Sequence, residues 1–491
     1  MGSLSRAALP NLPRDVRVPT YAASALETGI VHLGVGAFHR AHQAAYTDDV
    51  ILSGDMRWGF LGASLRSTDT RDALRGQDWL YTLAENSQSG SRLRVIGVLQ
   101  GLLVAPEDPA ALIEAMSAPS VKIMSLTVTE KGYCHDPATS ELNAAQPDIL
   151  HDLANPETPR STPGLITRAL ALRKQRNLPP FTVLCCDNLP ANGRTVRNVV
   201  TQLASLQDKE LGKYIADTVA FPSTMVERIV PATTDADRDR IEAALGFHDR
   251  WPVMTEGFTQ WVVEDDFPAG KPDWTATFAS DVAPYEAMKL RLLNGAHSCM
   301  AYLGYLSGYE TVFDAMQDAH LAAFVRRLMD EEVTPTLKLS AGANVVGYKA
   351  ALIKRFHNPA LRHRTWQIAM DGSQKLPQRL LGTARDRLMT DAPIDCLVLG
   401  IAAWMRYVTG YDENRTAIDV RDPMSAELRR RADTAGLFAI RLAPALLDVE
   451  SIFGKDLPSN PAFVAAVISA LDQLISRGAR RTLASFGKQI A

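Results

Sequence analysis

The chain has 491 residues, 46% hydrophobic and 22% charged, the balance of a globular protein long enough for two or three domains. Its 52 basic and 55 acidic residues leave a net charge of −3. That near-balance points away from nucleic acid as a partner, and no Lys/Arg run marks a membrane-surface patch.

In chain order, residues 1–24 hold no apolar core of signal-peptide length and are broken by Pro10, Pro13 and Pro19. Residues 29–35 (GIVHLGV) and 59–65 (GFLGASL) read as strands. Residues 80–83 and 93–99 suggest further short strands. The segments 121–129 (VKIMSLTVT) and 181–186 (FTVLCC) are the most strand-like, and 218–221 is a weaker candidate. Helical patterns at 163–175 and 196–207 lie between. Strands alternating with helices predict a parallel, doubly wound α/β sheet. The pattern changes near residues 281–284. Beyond it, helices are expected at 285–306, 312–318, 320–332, 394–409, 426–436 and 461–477. A boundary at about residue 282 divides the chain into 1–281 and 282–491. No apolar stretch approaches the ~18–20 residues of a membrane span. The five cysteines form no C-x-x-C motif, and Cys185 and Cys186 are adjacent in an apolar run. A reducing compartment, the cytoplasm, is the expectation.

Residues 31–43 read VHLGVGAFHRAHQ. Gly34 and Gly36 follow the first strand and precede a helix, the setting in which backbone N–H groups approach a pyrophosphate. His39 stands where the third glycine of the usual fingerprint would be, and a bare G-x-G also suits a plain turn. The second strand runs into Leu65-Arg66-Ser67-Thr68-Asp69, without the acid that binds a ribose 2′-hydroxyl. Arg66 is either a cofactor contact, where it would tolerate the 2′-phosphate of NADP, or a solvated loop residue.

The segment PYEAMKLRLLNGAHS opens the helical half. At roughly 100° per residue, Asn294 lies about 140° from Lys289 and His297 about 80°, so all three fit one broad face. A buried lysine can manage a hydroxyl proton and an amide can hold a developing oxyanion. A solvated or structurally satisfied face is the competing reading. Asn188 follows the 181–186 strand in C-D-N-L-P, where an open α/β sheet binds ligands, although Asp and Asn there also suit a turn or cap. The same placement draws in Glu130, after the 121–129 strand, and Glu227, after 218–221.

Five motifs in order, G-x-G-x-F-x-R-A-H-Q at 34–43, T-V-T-E-K-G-Y at 127–133, C-D-N-L-P at 186–190, P-S-T-M-V-E-R-I at 222–229 and K-L-R-L-L-N-G-A-H at 289–297, resemble the mannitol dehydrogenase family. The resemblance runs from about residue 28 to the end. It implies a Rossmann-type domain at 1–281, a helical substrate domain at 282–491, NAD as cofactor and no metal. It makes Lys289 the acid/base, Asn188 and Asn294 the amides that polarise the reacting oxygen, His297 a substrate-positioning group and Glu130 a group near the proton path. Gly34, Gly36, Ala37 and Phe38 match the cofactor turn. Residues 362–379 (RHRTWQIAMDGSQKLPQR) resemble the fructuronate reductase (mannonate oxidoreductase) branch. Gln367 stands eight residues before Lys375, where the mannitol-specific branch tends to carry arginine, and Glu227 stands where many relatives carry aspartate. Arg364, Lys375 and Arg379 form a basic cluster able to hold a carboxylate, or an ordinary exposed loop. The expected substrate is therefore a sugar acid, with an uncharged mannitol- or arabinitol-type polyol as the alternative. A monomer or a homodimer is equally consistent with the sequence.

Overall fold

A computed structural model of the chain describes residues 2–87, 90–136, 139–339, 343–359 and 363–486. Two compact units, Met1–Ala283 and Pro284–Ala491, divide it.

The first unit carries strands β1 (Thr28–Leu33), β2 (Gly59–Ser64), β3 (Tyr81–Ser87), β4 (Gly90–Ile96), β5 (Leu99–Val104), β6 (Ile123–Leu126), β7 (Thr182–Cys185), β8 (Thr224–Glu227), β9 (Val253–Glu256), β10 (Gln260–Glu264) and β11 (Thr277–Ala279). Five form a parallel sheet in the order β5-β2-β1-β6-β7. Its strands are apolar on both faces. Ile30, Phe60, Ile123 and Leu184 enter one core, while Val31, Leu33, Met124, Leu126, Val183 and Cys185 enter the other. Burial on two sides is why these segments read as near-continuous apolar runs. The helices Pro109–Met116, Thr162–Gln175 and Asn192–Gln207 supply Leu112, Leu165, Ile166, Val196 and Val199 to the second core. Ser161 caps the middle helix by accepting from Gly164 N at 3.0 Å.

The strands expected at 80–83 and 93–99 form, and the weaker one expected at 218–221 does not. The segments at 80–83 and 93–99 belong mainly to the β3–β4 hairpin, which pairs with β9 in a separate sheet. The fifth strand of the parallel sheet is β5, whose sequence LQGLLV is broken by Gln100 and Gly101. Residues 218–221 are not a strand. Only the Ala220 carbonyl meets β7, accepting from Val183 N at 3.0 Å, and Pro222 offers no N–H for a ladder. The chain then enters β8, antiparallel to β10 in a third sheet.

The second unit is helical. Asp395–Tyr407 is buried along its length from Cys396 onward. The Glu332 carboxylate accepts from Cys396 N and Leu397 N, at 2.6 and 2.9 Å, and so satisfies the orphan donors at that buried helix start. The expected 285–306 helix is continuous but not uniform: Ala283–Met288 and Gly295–Leu306 are α-helical, and Lys289–Asn294 between them is a π-turn. Leu328–Val333 and Pro377–Leu381 are also π-turns. Helices Val345–Phe356, Gly382–Leu388, Ala439–Leu447 and Ala479–Phe486 were not among those expected from the sequence. No described helix is long and apolar enough to cross a membrane.

Candidate active site

In the first unit, the carboxyl ends of β1, β6 and β7 lie side by side, where the strand order reverses. Gly34 leaves β1 with φ +89°, and a Cβ on it would lie 2.1 Å from the Thr127 carbonyl oxygen. Only glycine fits both constraints. Above Gly36 a Cβ would meet nothing nearer than the Gly34 oxygen at 3.8 Å, so a ligand can approach the backbone closely. The Gly36 N–H is taken up by Gly34 O at 2.7 Å. A five-residue helix, Ala37–Ala41, follows, and Phe38 stacks on His42 with centroids 5.0 Å apart. Arg66 is exposed in the bend after β2, where Ser64 Oγ donates to Ser67 O at 2.6 Å.

Asp187 ties the two neighbouring edges together. One carboxylate oxygen accepts from Val128 N at 2.7 Å, Thr129 N at 3.1 Å and Tyr133 Oη at 2.6 Å. Burial nonetheless holds this carboxyl above the usual carboxylate range. Thr129 is a β-branched residue at φ +66°, a strained conformation that Asp187 stabilises through its N–H. Glu130 follows it directly, and Asn188 follows Asp187. Both are exposed at this edge of the sheet. Of the two readings open for Asp187-Asn188, Asp187 takes the turn-or-cap part, accepting the loop N–H groups of Val128 and Thr129. Glu227 stands in another sheet, buried in β8 opposite Gln260. That strand nevertheless starts beside the end of β7, where Thr224 Oγ1 donates to Cys185 O at 2.6 Å. Arg228, next to Glu227, bonds to Glu85 at 2.5 Å and donates to the carbonyls of Ala41 and Glu256, joining strands to the end of the Ala37–Ala41 helix.

In the second unit, Lys289 opens the π-turn and Asn294 closes it. The i→i+5 pattern sets residue i+5 close above residue i, so the pair aligns better than the roughly 140° separation of an α-helix allows. His297 stands one turn further along. Asn294 and His297 are 9% and 7% exposed. The His297 ring packs on Phe356 at 4.8 Å and meets His363 edge-on at 5.5 Å. Burial, then the charges of His363, Arg355 and Arg379, hold its pKa well below the ordinary histidine value. Burial, then Lys375 and Arg379, push His363 down to about 4. Arg379 donates to Ser298 Oγ at 3.3 Å. Gly295 permits this approach, because a Cβ there would sit 3.0 Å from Arg379 O. Lys375 Nζ donates to Met370 O at 2.5 Å and Ile368 O at 3.4 Å. Thus Arg379 acts on both His297 and His363 and Lys375 on His363, whereas Arg364 is exposed and paired with Glu310 at 3.4 Å. Arg355 and His363 join this cluster without having been singled out in the sequence. Residue 362, the first of the basic segment, lies outside the described residues. Among the described residues no group of three His, Cys, Asp or Glu side chains is placed to hold a metal ion.

Residues 28–276 match the mannitol dehydrogenase Rossmann domain, and residues 281–475 match the mannitol dehydrogenase C-terminal domain. The chain is 46% identical to the D-mannonate oxidoreductase of Escherichia coli (strain K12), over 97% of this chain and 98% of that one. It is 40% identical to the mannitol 2-dehydrogenase of Aspergillus terreus, over 96% and 95%. The solved ternary complex of Pseudomonas fluorescens mannitol 2-dehydrogenase with NAD and D-mannitol superposes with a TM-score of 0.89 at 39% identity, covering 99% of this chain and 100% of that one. The chain belongs to the mannitol dehydrogenase family of oxidoreductases.

Proposed function

We propose that this chain is a NAD(H)-dependent, lysine-assisted secondary-alcohol dehydrogenase that interconverts D-fructuronate and D-mannonate. The observation that carries the sugar-acid reading is the bond from Arg379 to Ser298, the residue after His297 on the helix that continues from Asn294. Cations around neutral imidazoles suit a carboxylate, which an uncharged polyol lacks. The 46% identity to a D-mannonate oxidoreductase supports the same reading.

The Gly34–Gly36 turn, with Ala37 and Phe38, is proposed to hold the dinucleotide. The residues fit: Gly34 admits no side chain and Gly36 leaves open space. The absence of an acid after β2 leaves a 2′-phosphate tolerable at Arg66, so NAD is the proposed cofactor with NADP admissible. When bound, the nicotinamide supplies or accepts the hydride at the carbinol carbon. In the reducing direction protonated Lys289 delivers a proton to the carbonyl oxygen, giving the alcohol; in the oxidising direction its neutral amine removes the same proton. The amides of Asn188 and Asn294 hydrogen-bond that oxygen as negative charge develops. His297, kept neutral by burial, orients the substrate, and Glu130 stands on the proton's route to solvent. Glu227 is proposed as a substrate-hydroxyl contact.

Loss of NADH absorbance with D-fructuronate and with D-fructose, at equal concentration, tests the reading. A large preference for fructuronate is expected. A preference for fructose would assign the chain to the polyol branch, the reading favoured by its likeness to the mannitol-bound structure.

A further inference from the structure

The strand that enters the cofactor turn carries a buried imidazole at its next-to-last position, His32. Ser125 Oγ lies 2.8 Å from His32 Nδ1, and Thr127 Oγ1 lies 2.9 Å from Nε2. The Thr127 hydroxyl donates to Gly34 O at 2.7 Å. A hydroxyl has one hydrogen, and here it points at Gly34. Nε2 must therefore carry the ring hydrogen and donate to Thr127. Nδ1 is then the acceptor, and Ser125 donates to it. The chain runs one way, from Ser125 through His32 and Thr127 to the Gly34 carbonyl. Burial keeps the ring neutral, so this single tautomer persists.

His39 holds the ring in place. Its imidazole stacks on His32 with centroids 3.5 Å apart and planes 17° from parallel. It occupies the position where the dinucleotide fingerprint has its third glycine, the residue that ordinarily lets helix and strand pack closely. Here two stacked rings fill that contact. The Gly34 carbonyl accepts from Thr127 Oγ1 and Gly36 N, the His32 ring also lies in hydrogen-bonding reach of the Gly34 backbone, and the Gly34 N–H donates to Ala63 O at 2.8 Å.

Resting on the assignment of this turn to the cofactor, we propose that His32 is a positioning residue for the dinucleotide, acting through Thr127 to hold the Gly34 carbonyl and with it the shape of the turn. NADH affinity of the full-length protein, read by quenching of tryptophan fluorescence, tests this alongside KM and kcat. Thr127→Val is expected to weaken NADH binding and raise its KM about tenfold, with kcat falling less than about twofold, and Thr127→Ser is expected to restore most of the affinity. Ser125→Ala, at the far end of the relay, is expected to raise the NADH Kd about threefold. Unchanged NADH affinity in Thr127→Val overturns the relay and leaves the cofactor reading intact. A wild-type protein that fails to bind NADH removes the cofactor reading itself. Equal losses in affinity and kcat, with no rescue by serine, would mark general damage and also overturn the proposal. Should Thr127→Val not fold, Ser125→Ala decides: a wild-type Kd there overturns the relay.

Discussion

Among single residues, Lys289 carries the sharpest expectation. It opens the π-turn, whose one other ionisable residue, Arg291, is a permanent cation paired with Asp386 at 2.5 Å. Lys289→Ala is expected to lower kcat by about 10²–10⁴, the usual contribution of a general acid/base, while NADH affinity stays within about twofold. Turnover above a tenth of wild type in that variant would remove Lys289 from the role. Arg379 is the test of substrate class. Arg379→Met keeps much of the apolar stem and removes the charge, and it is expected to reduce kcat/KM for fructuronate by about 10–100-fold, the loss of one charge-assisted contact. The reduction for fructose should be far smaller. Equal losses on both substrates would place Arg379 in a scaffold role, through its bond to Ser298.

At the scale of elements, the glycine turn and the π-turn show different degrees of legibility. The turn was readable because φ > 0 and a crowded backbone admit one residue type, and Gly34 meets both conditions. Gly34→Ala is therefore expected to destabilise the protein by about 1–3 kcal/mol from backbone strain, with more from the contact with Thr127, and to abolish measurable NADH binding. Urea denaturation and a binding titration check both, and a variant with wild-type stability would contradict the geometry. The π-turn was not readable. Its sequence, KLRLLN, suits an α-helix equally well, and the choice between i→i+4 and i→i+5 bonding rests on what packs around it. The Pro377–Leu381 turn, lying against Gly295, is part of that packing. Edge strands had the same difficulty. β5 contains polar and glycine positions, and β8 has no neighbour in the parallel sheet, so alternation alone misplaced both.

At the scale of the whole molecule, buried imidazoles set the response to acid. His32 is pushed down to about 3 and His363 to about 4, chiefly by burial, and His39 and His297 are held well below 6.5 for the same reason. Each remains neutral in the folded chain while its unfolded counterpart protonates near 6.5. The unfolded state then binds more protons below that pH, so stability falls as the pH drops through 6.5 and continues to fall until the folded values are reached. At about pH 5 each such histidine withholds roughly 2 kcal/mol. The midpoint of urea unfolding should fall steeply between about pH 7 and pH 5, and His363→Asn should make that dependence shallower by about one proton. A flat profile would mean these rings are solvated.

By itself the sequence determined the division near residue 282, the parallel α/β character of the first part, the helical character of the second and the ordered motifs that mark the family. These follow from local causes: apolar periodicity, glycine at a positive φ, and polar residues directly after apolar strands. Only the tertiary structure decided that β3, β4 and β8 stand outside the parallel sheet, that Asp187 binds the neighbouring loop, that His297 meets His363 and that Arg379 bonds Ser298. It also decided that His32 meets Thr127 and, through it, Gly34. Each of these depends on residues tens or more positions apart along the chain, whose proximity is fixed by strand order and helix packing rather than by any local pattern.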